Sequence, residues 1–379
     1  MRRGSRSRLF RAMEFDPRAV DLEGFLREIR ELGKEIERDL GEDDLRHLRR
    51  MERWGRASTV AGALLAGVAP NPLSMALLSL GRSTRWLLMH HCGHRGYDKV
   101  PGVPARYTSK VFARGRRRFV DWPDWQIPEA WVYEHNVLHH SFTGEEADPD
   151  LIERNAEVLR SMKLPRAIEH AAMALLAMTW RFSYYAPNTL RTWKNRGVRA
   201  QDGGERHDRE LWLRCYAPYA LLHFALFPAL YLPFGPWASF SALCNQLGAE
   251  VLCNLHTFMV VGPNHSGDDL YRFEGKAGSK AEHYLRQVIG SVNFRTGGDL
   301  NDFLHLFLNY QIEHHLWPDV PMRQYQRVAP KVRALCAKYG VPYVQESVFT
   351  RVRKMWSVAI GPAKMRRMGP LDAMPVAAE

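Results

Sequence analysis

The sequence predicts an all-α chain: integral-membrane helical hairpins carrying a helical cap on the cytoplasmic side. Three observations predict it. Two apolar blocks, each broken by a proline-rich turn, alternate with long charged stretches along 379 residues. The charged stretches carry apolar residues at three-to-four spacing, the period of one helix face. Three dense histidine clusters follow or separate the apolar blocks, at 90–94, 135–140 and 311–315.

Composition sets the outer bounds. A hydrophobic fraction of 46% with a mean hydropathy of -0.35 means that apolar residues are segregated rather than abundant. The net charge of +12 suits an anionic neighbour, either nucleic acid or the cytoplasmic leaflet. No helix-turn-helix, finger or RRM pattern accompanies the charge, so no nucleic-acid partner is expected. Five cysteines, never as CxxC, argue against a disulfide scaffold or a thiolate zinc cluster and fit a reducing compartment. The basic start, Met1-Arg2-Arg3-Gly4-Ser5-Arg6, leads into no apolar signal region, which places the N-terminus in the cytoplasm.

Residues 1–56 read as a cytoplasmic, amphipathic N-terminal region. Leu22, Phe25, Ile29, Leu32, Ile36, Leu40 and Leu45 mark one helix or a pair broken at Gly41. The membrane domain, 57–350, begins with the apolar block 57–89, a tight hairpin turning at Pro70-Asn71-Pro72 because each half is short of the ~20 residues a span needs. Residues 171–186 suit a helix in the membrane interface, with Trp180, Phe182, Tyr184 and Tyr185 at its edge. Val198 to Glu210 reads as a polar loop. The second block, 211–261, is a hairpin turning at Pro233-Phe234-Gly235-Pro236, with Arg214 on one arm and Glu250 on the other. Two hairpins returning to one side put both termini and every histidine cluster on one face, which the abundant Lys and Arg make cytoplasmic. Gly297-Gly298-Asp299 leads into a helix, 300–308, carrying the third cluster. Residues 320–350 read as a mixed polar helix, 351–379 as a basic flexible tail, disordered from Gly369.

The clusters have metal-ligand spacing. Residues four apart share a helix face, so His90 with His94, and His135 with His139, can each converge on one ion. His140 is rotated about 100° from His139 on an α-helix and points to a second ion alongside; the pair His314 and His315 behaves likewise. Imidazole suits Zn, Cu, Fe and Ni, and the scarcity of carboxylates disfavours Mg and Ca. No Glu-x-x-His pair and no HExxH is present. A structural zinc needs four ligands and about twice that number is on offer, so two irons with positions open to dioxygen fit better.

Box one (His90 to His94), box two (His135 to His140) and box three, Asn309-Tyr310-Gln311-Ile312-Glu313-His314-His315-Leu316-Trp317-Pro318, resemble the HxxxH, HxxxHH and QxxHH boxes of the membrane fatty acid desaturase superfamily. The resemblance spans roughly residues 85–330. It implies a histidine-ligated di-iron site in the cap, with His90, His94, His135, His139, His140, His314 and His315 as ligands, and His256 as the additional histidine that relatives carry before box three. His91 replaces the acidic residue usual after the first histidine, leaving His90 and His91 to compete, with spacing favouring His90. Gln311 stands where some relatives have histidine. His305, Asp148, Asp150, Asp299 and Asn301 are candidates to support ligands from outside, and His265 is a weak candidate ligand. His47, His170, His207, His223 and His283 stand outside any box.

The resemblance implies an oxygen-dependent fatty acyl desaturase, with O2 as co-substrate and an acyl lipid, acyl-CoA or acyl-ACP as substrate. An apolar tunnel for the acyl chain is expected along parts of 211–261. No His-Pro-Gly-Gly haem motif and no flavin or nicotinamide fingerprint occurs, so a ferredoxin or cytochrome b5 type donor with its reductase is expected as partner, besides membrane lipids. A di-iron lipid or alkane hydroxylase and a non-catalytic, zinc-stabilised membrane protein are the alternatives.

Overall fold

A computed structural model describes residues 15–197 and 203–371. The basic start at 1–6, part of the polar loop after Val198, and the end of the tail from 372 lie outside them. The chain is mostly helical. Helix α1 (Leu22–Arg38) starts where the Asp21 carboxylate accepts the Gly24 amide at 2.9 Å. The amphipathic stretch is a pair broken at Gly41, whose amide donates to the Asp44 carboxylate at 3.0 Å. Helix α2 (Glu42–Ala66) then runs unbroken through residue 56, where the sequence divides a charged region from an apolar one.

Helix α3 (Pro72–Gly93) is started by Pro72 and by Asn71, whose side chain accepts the Ser74 amide at 2.7 Å. It returns along α2 at a distance only small residues allow. A Cβ on Gly55 would stand 2.4 Å from the Thr84 side chain, and one on Gly81 would stand 2.1 Å from that of Thr59. Asn245, from a later helix, closes the turn by donating to the Ala66 and Ala69 carbonyls at 2.9 Å.

Box two lies on α4 (128–142), of which Val132–His139 is wound as π-helix. Helix α5 (166–194) contains the expected interfacial stretch but is longer at both ends, with a π-turn at Arg181–Tyr185. Helix α6 (Asp208–Phe234) is, among the described residues, the one helix long and apolar enough to cross a membrane, and only 17% of its apolar window is buried. Gly235, at φ 102, makes the sharp turn into α7 (Pro236–Val261). Glu250 of α7 is not a stray charge: Arg82 reaches it at 2.8 Å, Trp125 Nε1 donates to it at 2.7 Å, and Tyr219 also bonds it. Arg181, fully buried, pairs with Asp124.

The remainder is a cap of shorter elements: β1 (Tyr271–Phe273), α8 (Lys280–Ile289), β2 (Asn293–Phe294), α9 (Asp299–Leu304), α10 (Gln311–Leu316), α11 (Met322–Lys338), β3 (Gln345–Glu346), α12 (Val348–Ile360) and β4 (Arg366–Met368). Four expectations change here. The chain is not purely helical, since β1 pairs with β4 and β2 with β3 as two small parallel ladders. The helix expected over 300–308 ends at Leu304, because buried Leu306 and Phe307 take left-handed conformations (φ 55 and 57) and turn box three onto its own short helix, α10. Residues 351–368 are no loose tail: Arg351 of α12 is fully buried and held by Asp269 at 2.7 Å, and β4 is paired. The polar helix expected to reach 350 stops at Lys338.

Candidate metal centre

Three helices that are far apart in sequence deliver the histidines to one buried volume. His90 and His94, at the end of α3, meet His135 of α4 and His314 of α10; one ring nitrogen from each lies within 4.8 Å of all the others. His90 Nε2 and His135 Nε2 are 3.2 Å apart, and His314 Nε2 and His140 Nε2 are 3.1 Å apart. A second set, His139, His265 and His315, converges in the same way, and His135, His139 and Asp150 form a third grouping that bridges the first two.

Box two departs from the α-helical expectation. In the π-wound segment the His140 amide donates to the His135 carbonyl, so residues five apart become neighbours. His140 therefore swings in beside His135, with ring centroids 5.0 Å apart, instead of pointing to a separate place. It stacks on His315 at 4.3 Å and sits between the two sets.

The histidine expected before box three, His256, stands outside the groupings of converging rings. His256 is bonded elsewhere, to Ser83 Oγ at 3.0 Å and the Leu304 carbonyl at 2.6 Å. His265 takes the place beside the cluster, 4.4 Å from the His315 ring and 4.8 Å from that of His139. Its position just past the end of an apolar block, where the chain re-enters the cap, was the available signal. Of the competing pair in box one, His90 faces the cluster, while His91 lies against Phe307 and Tyr325. His305 bonds the Asn301 carbonyl, Asp299 pairs with His47 and Arg50, and Asn301 donates to the Arg295 carbonyl; all three stand away from the cluster.

Supporting groups fix ring orientation. Asp148 accepts from His139 Nδ1 at 2.9 Å, as proposed from sequence, and Asp150 lies 4.0 Å from His135 Nδ1 and 3.9 Å from His139 Nδ1. Gln311 bonds His265 Nε2 at 2.9 Å and so touches the cluster through a histidine. Sequence gave no sign of three others: Gln287 Oε1 at 2.8 Å from His315 Nδ1, the Gly290 carbonyl at 3.0 Å from His265 Nδ1, and Tyr325 at 3.1 Å from His314 Nδ1. Tyr325 donates onward to the Trp317 carbonyl, so it accepts from His314. Helix α10 is itself pinned from below: Glu313 accepts from Asn293 and Tyr343, each at 2.8 Å. Burial pushes the Glu313 carboxyl up to about 7.

Burial, reinforced by neighbouring rings, holds His94, His140, His314, His315 and His265 well below the ordinary imidazole value. At neutral pH these rings are uncharged and offer the lone pair a metal requires. Burial acts the same way on His139, but the Asp148 carboxylate outweighs it and raises that ring.

Beside the cluster opens an apolar cavity of about 220 Å³. His90, His135, His139 and His265 form one end, and Leu159, Met173, Leu176, Phe258, Met355 and Ala359 form the walls. Of the block 211–261, expected to line an acyl tunnel in part, the last turn lines this cavity, through Phe258 and Val261. The other walls come from the segment 152–159, from α5 and from α12, the last in the region read as a tail.

The fatty acid desaturase family model matches residues 65–347. A NADPH-dependent stearoyl-CoA 9-desaturase of Mycobacterium tuberculosis is 26% identical over 351 residues, covering 89% of this chain and 79% of that protein. A Delta(8)-fatty-acid desaturase of Euglena gracilis is 27% identical over 285 residues, 68% of this chain and 59% of its own length. A chloroplastic acyl-lipid (7-3)-desaturase of Chlamydomonas reinhardtii is 25% identical over 313 residues, 78% of this chain and 57% of its own.

Proposed function

This chain belongs to the fatty acid desaturase family and is a fatty acid desaturase enzyme; from that premise we propose that it inserts a double bond into an acyl chain at a di-iron centre held by the clustered histidines. The observation that carries the reading is the juxtaposition of an apolar cavity with that cluster. The donor set fits metal. His94 Nε2, His135 Nδ1 and His315 Nε2 are buried without a hydrogen-bond partner. The facing Nε2 pairs at 3.1 and 3.2 Å are close to the ~3.4 Å separation of two ligands on one ion bonded at about 2.1 Å.

His90, His94, His135 and His314 would hold one iron, and His139, His315 and His265 the other, with His140 between them. Bound there, the pair would supply the dioxygen-activating, C–H-cleaving power that no side chain has. The balance is one dioxygen, two electrons and two protons in; two hydrogens leave adjacent methylenes, and two waters form. The chain's own residues do the rest. Leu159, Met173, Leu176 and Phe258 hold an acyl segment straight and dry against the histidines, fixing which methylenes come within reach. Glu134, buried beside His135 and bonded by Tyr185 at 3.1 Å, has its carboxyl pushed well up by burial and by the nearby Asp150 carboxylate, which favours a proton there at the edge of the site. Electrons come from a separate ferredoxin or cytochrome b5 type donor with its reductase, and an acyl-CoA, as in the name of the mycobacterial relative, or an acyl lipid is the substrate.

Membrane residence is part of the proposal. The turn after α2 and the turn before α7 meet, with Trp237 Nε1 donating to the Val68 carbonyl at 3.2 Å and Tyr231 to that of Ala63 at 2.6 Å. Around them Leu64, Val68, Leu230, Phe234 and Trp237 are exposed, an apolar surface that water does not favour. The histidines lie at the opposite ends of α3 and α7, which supports an arrangement with the boxes and both termini on the cytoplasmic side.

The test is metal content of the detergent-purified chain, with lipid profiles of expressing and control cells. Two irons per chain and an acyl product lighter by two hydrogens are expected. A product heavier by one oxygen would replace desaturation with hydroxylation, and zinc with unchanged lipids would end the reading.

A further inference from the structure

We propose that the arginine stripe of α2 binds the phosphate headgroup of an anionic phospholipid. The proposal rests on the membrane reading given above. Arg46, Arg49, Arg53 and Arg56 follow one another at spacings of three and four, so they share one face of α2. All four are exposed, and with Arg106 they line a groove of about 380 Å³. Two carboxylates offset them: Asp43 pairs with Arg46 at 2.7 Å, and Glu52, buried in the floor, holds Arg56 at 2.6 Å and Arg106 at 3.2 Å. Arg49 and Arg53 have no carboxylate partner among the described residues. The groove is therefore preorganised by Glu52 and left with a net positive charge.

What names the occupant is the continuation of the same stripe. Past Arg56 the face carries Val60 and Leu64, 58% and 77% exposed, and Val68, 70% exposed, follows in the turn just after the helix. The spacing of four keeps Val60 and Leu64 in line with the arginines. One helix face thus passes from guanidinium to bare aliphatic side chain within a turn. From Arg46 to Arg56 is about 15 Å, and from Val60 to Leu64 about 6 Å more of the same helix face, at 1.5 Å per residue. Phosphate above and acyl tail below is the chemical order of a phospholipid leaflet. Guanidinium groups take phosphate oxygens in a bidentate fork, and an anionic leaflet adds attraction for each arginine near its surface. An acidic soluble protein would match the arginines but would leave the aliphatic half of the stripe in water.

The full chain, purified in detergent and delipidated, is titrated with dioleoyl phosphatidylglycerol or with dioleoyl phosphatidylcholine, and retained lipid is counted by native mass spectrometry. Wild type is expected to retain phosphatidylglycerol in preference. Arg49→Gln with Arg53→Gln should reduce that retention on the order of tenfold and leave phosphatidylcholine unchanged, while Arg49→Lys with Arg53→Lys should keep most of it. Equal retention by wild type and the glutamine variant overturns the proposal. So does full displacement of phosphatidylglycerol by millimolar inorganic phosphate, which would make this a site for soluble phosphate. Slower reduction by the electron donor with lipid retention unchanged overturns it in favour of a protein dock. Membrane integration is read separately by carbonate extraction of expressing cells. A chain released into water sinks the membrane reading and this proposal together; one that stays in the pellet without a phosphatidylglycerol preference sinks this proposal alone.

Discussion

The two halves of the histidine cluster are held by different physics. In the set formed by His139, His265 and His315, every ring is backed at Nδ1 by an oxygen: Asp148, the Gly290 carbonyl and Gln287. Each such bond fixes both ring angle and tautomer, leaving Nε2 as the acceptor atom, which in His265 is bonded by Gln311. In the set formed by His90, His94, His135 and His314, only His314 has such a backing, from Tyr325. The other three are wedged by indoles instead. Trp131 stacks on His135 at 4.7 Å and touches His90 and His94 edge-on at 5.8 and 5.9 Å, and Trp86 stacks on His90 at 6.1 Å. Packing fixes the angle of a ring but not where its proton sits. The set of His139, His265 and His315 would thus be preorganised before metal arrives, and the other would acquire its final protonation pattern with the metal.

Removing a ring from either half is the harshest test. His314→Ala and His315→Ala should each bring acyl product down to the level of cells lacking the protein, while His207→Ala should change little; activity in the first two would break the comparison outright. Next comes the choice between two histidines near the end of α7. His265→Ala should cut metal affinity by about 100-fold or more, beyond the range for outer partners. His256→Ala should leave metal content intact and cost about 1 kcal/mol of stability through its lost hydrogen bonds. The reverse outcome would move the second set.

The backing itself is probed more gently. Gln287→Ala should weaken metal binding about 10- to 100-fold, whereas Trp131→Phe, which keeps an aromatic wedge, should lower it less. Equal losses would mean that hydrogen bonds and stacking orient the rings equally well. At the far wall, Ala359→Phe should shift substrate preference towards shorter acyl chains by about tenfold, read from the chain lengths of unsaturated products.

The smallest effect is that of pH on the metal-free chain. Five cluster rings are held below 6.5 when folded, so below about 6.5 the unfolded chain takes up protons that the folded site refuses. Stability should therefore fall as pH drops from neutrality. His139, raised, contributes in the opposite sense. A thermal midpoint that rises on acidification would contradict this reading.

Seven of the clustered histidines were legible before any coordinates as a group that could hold metal, because box spacing is a local property: residues four apart meet wherever a helix forms. The π-wound segment of box two was not legible, since its winding is decided by the packing of α4 against its neighbours. His265 and Gln287 had no local pattern; they reach the site from a loop and from α8 only when the cap closes.

The sequence by itself determined the ingredients of this protein: helical segments from their periodicity, turns from Pro and Gly, and neutral imidazoles in the numbers a two-metal site requires. Each follows from interactions within a few residues. Only the tertiary structure decided which rings meet, what backs them, and that the apolar cavity beside them is walled by the segment 152–159, α5 and α12, with the last turn of the long apolar block. Those contacts join positions hundreds of residues apart. They depend on close approach between particular surfaces, such as Gly55 against Thr84, and on the left-handed turn at Leu306 and Phe307 that aims box three. Neither leaves a periodic trace in the chain.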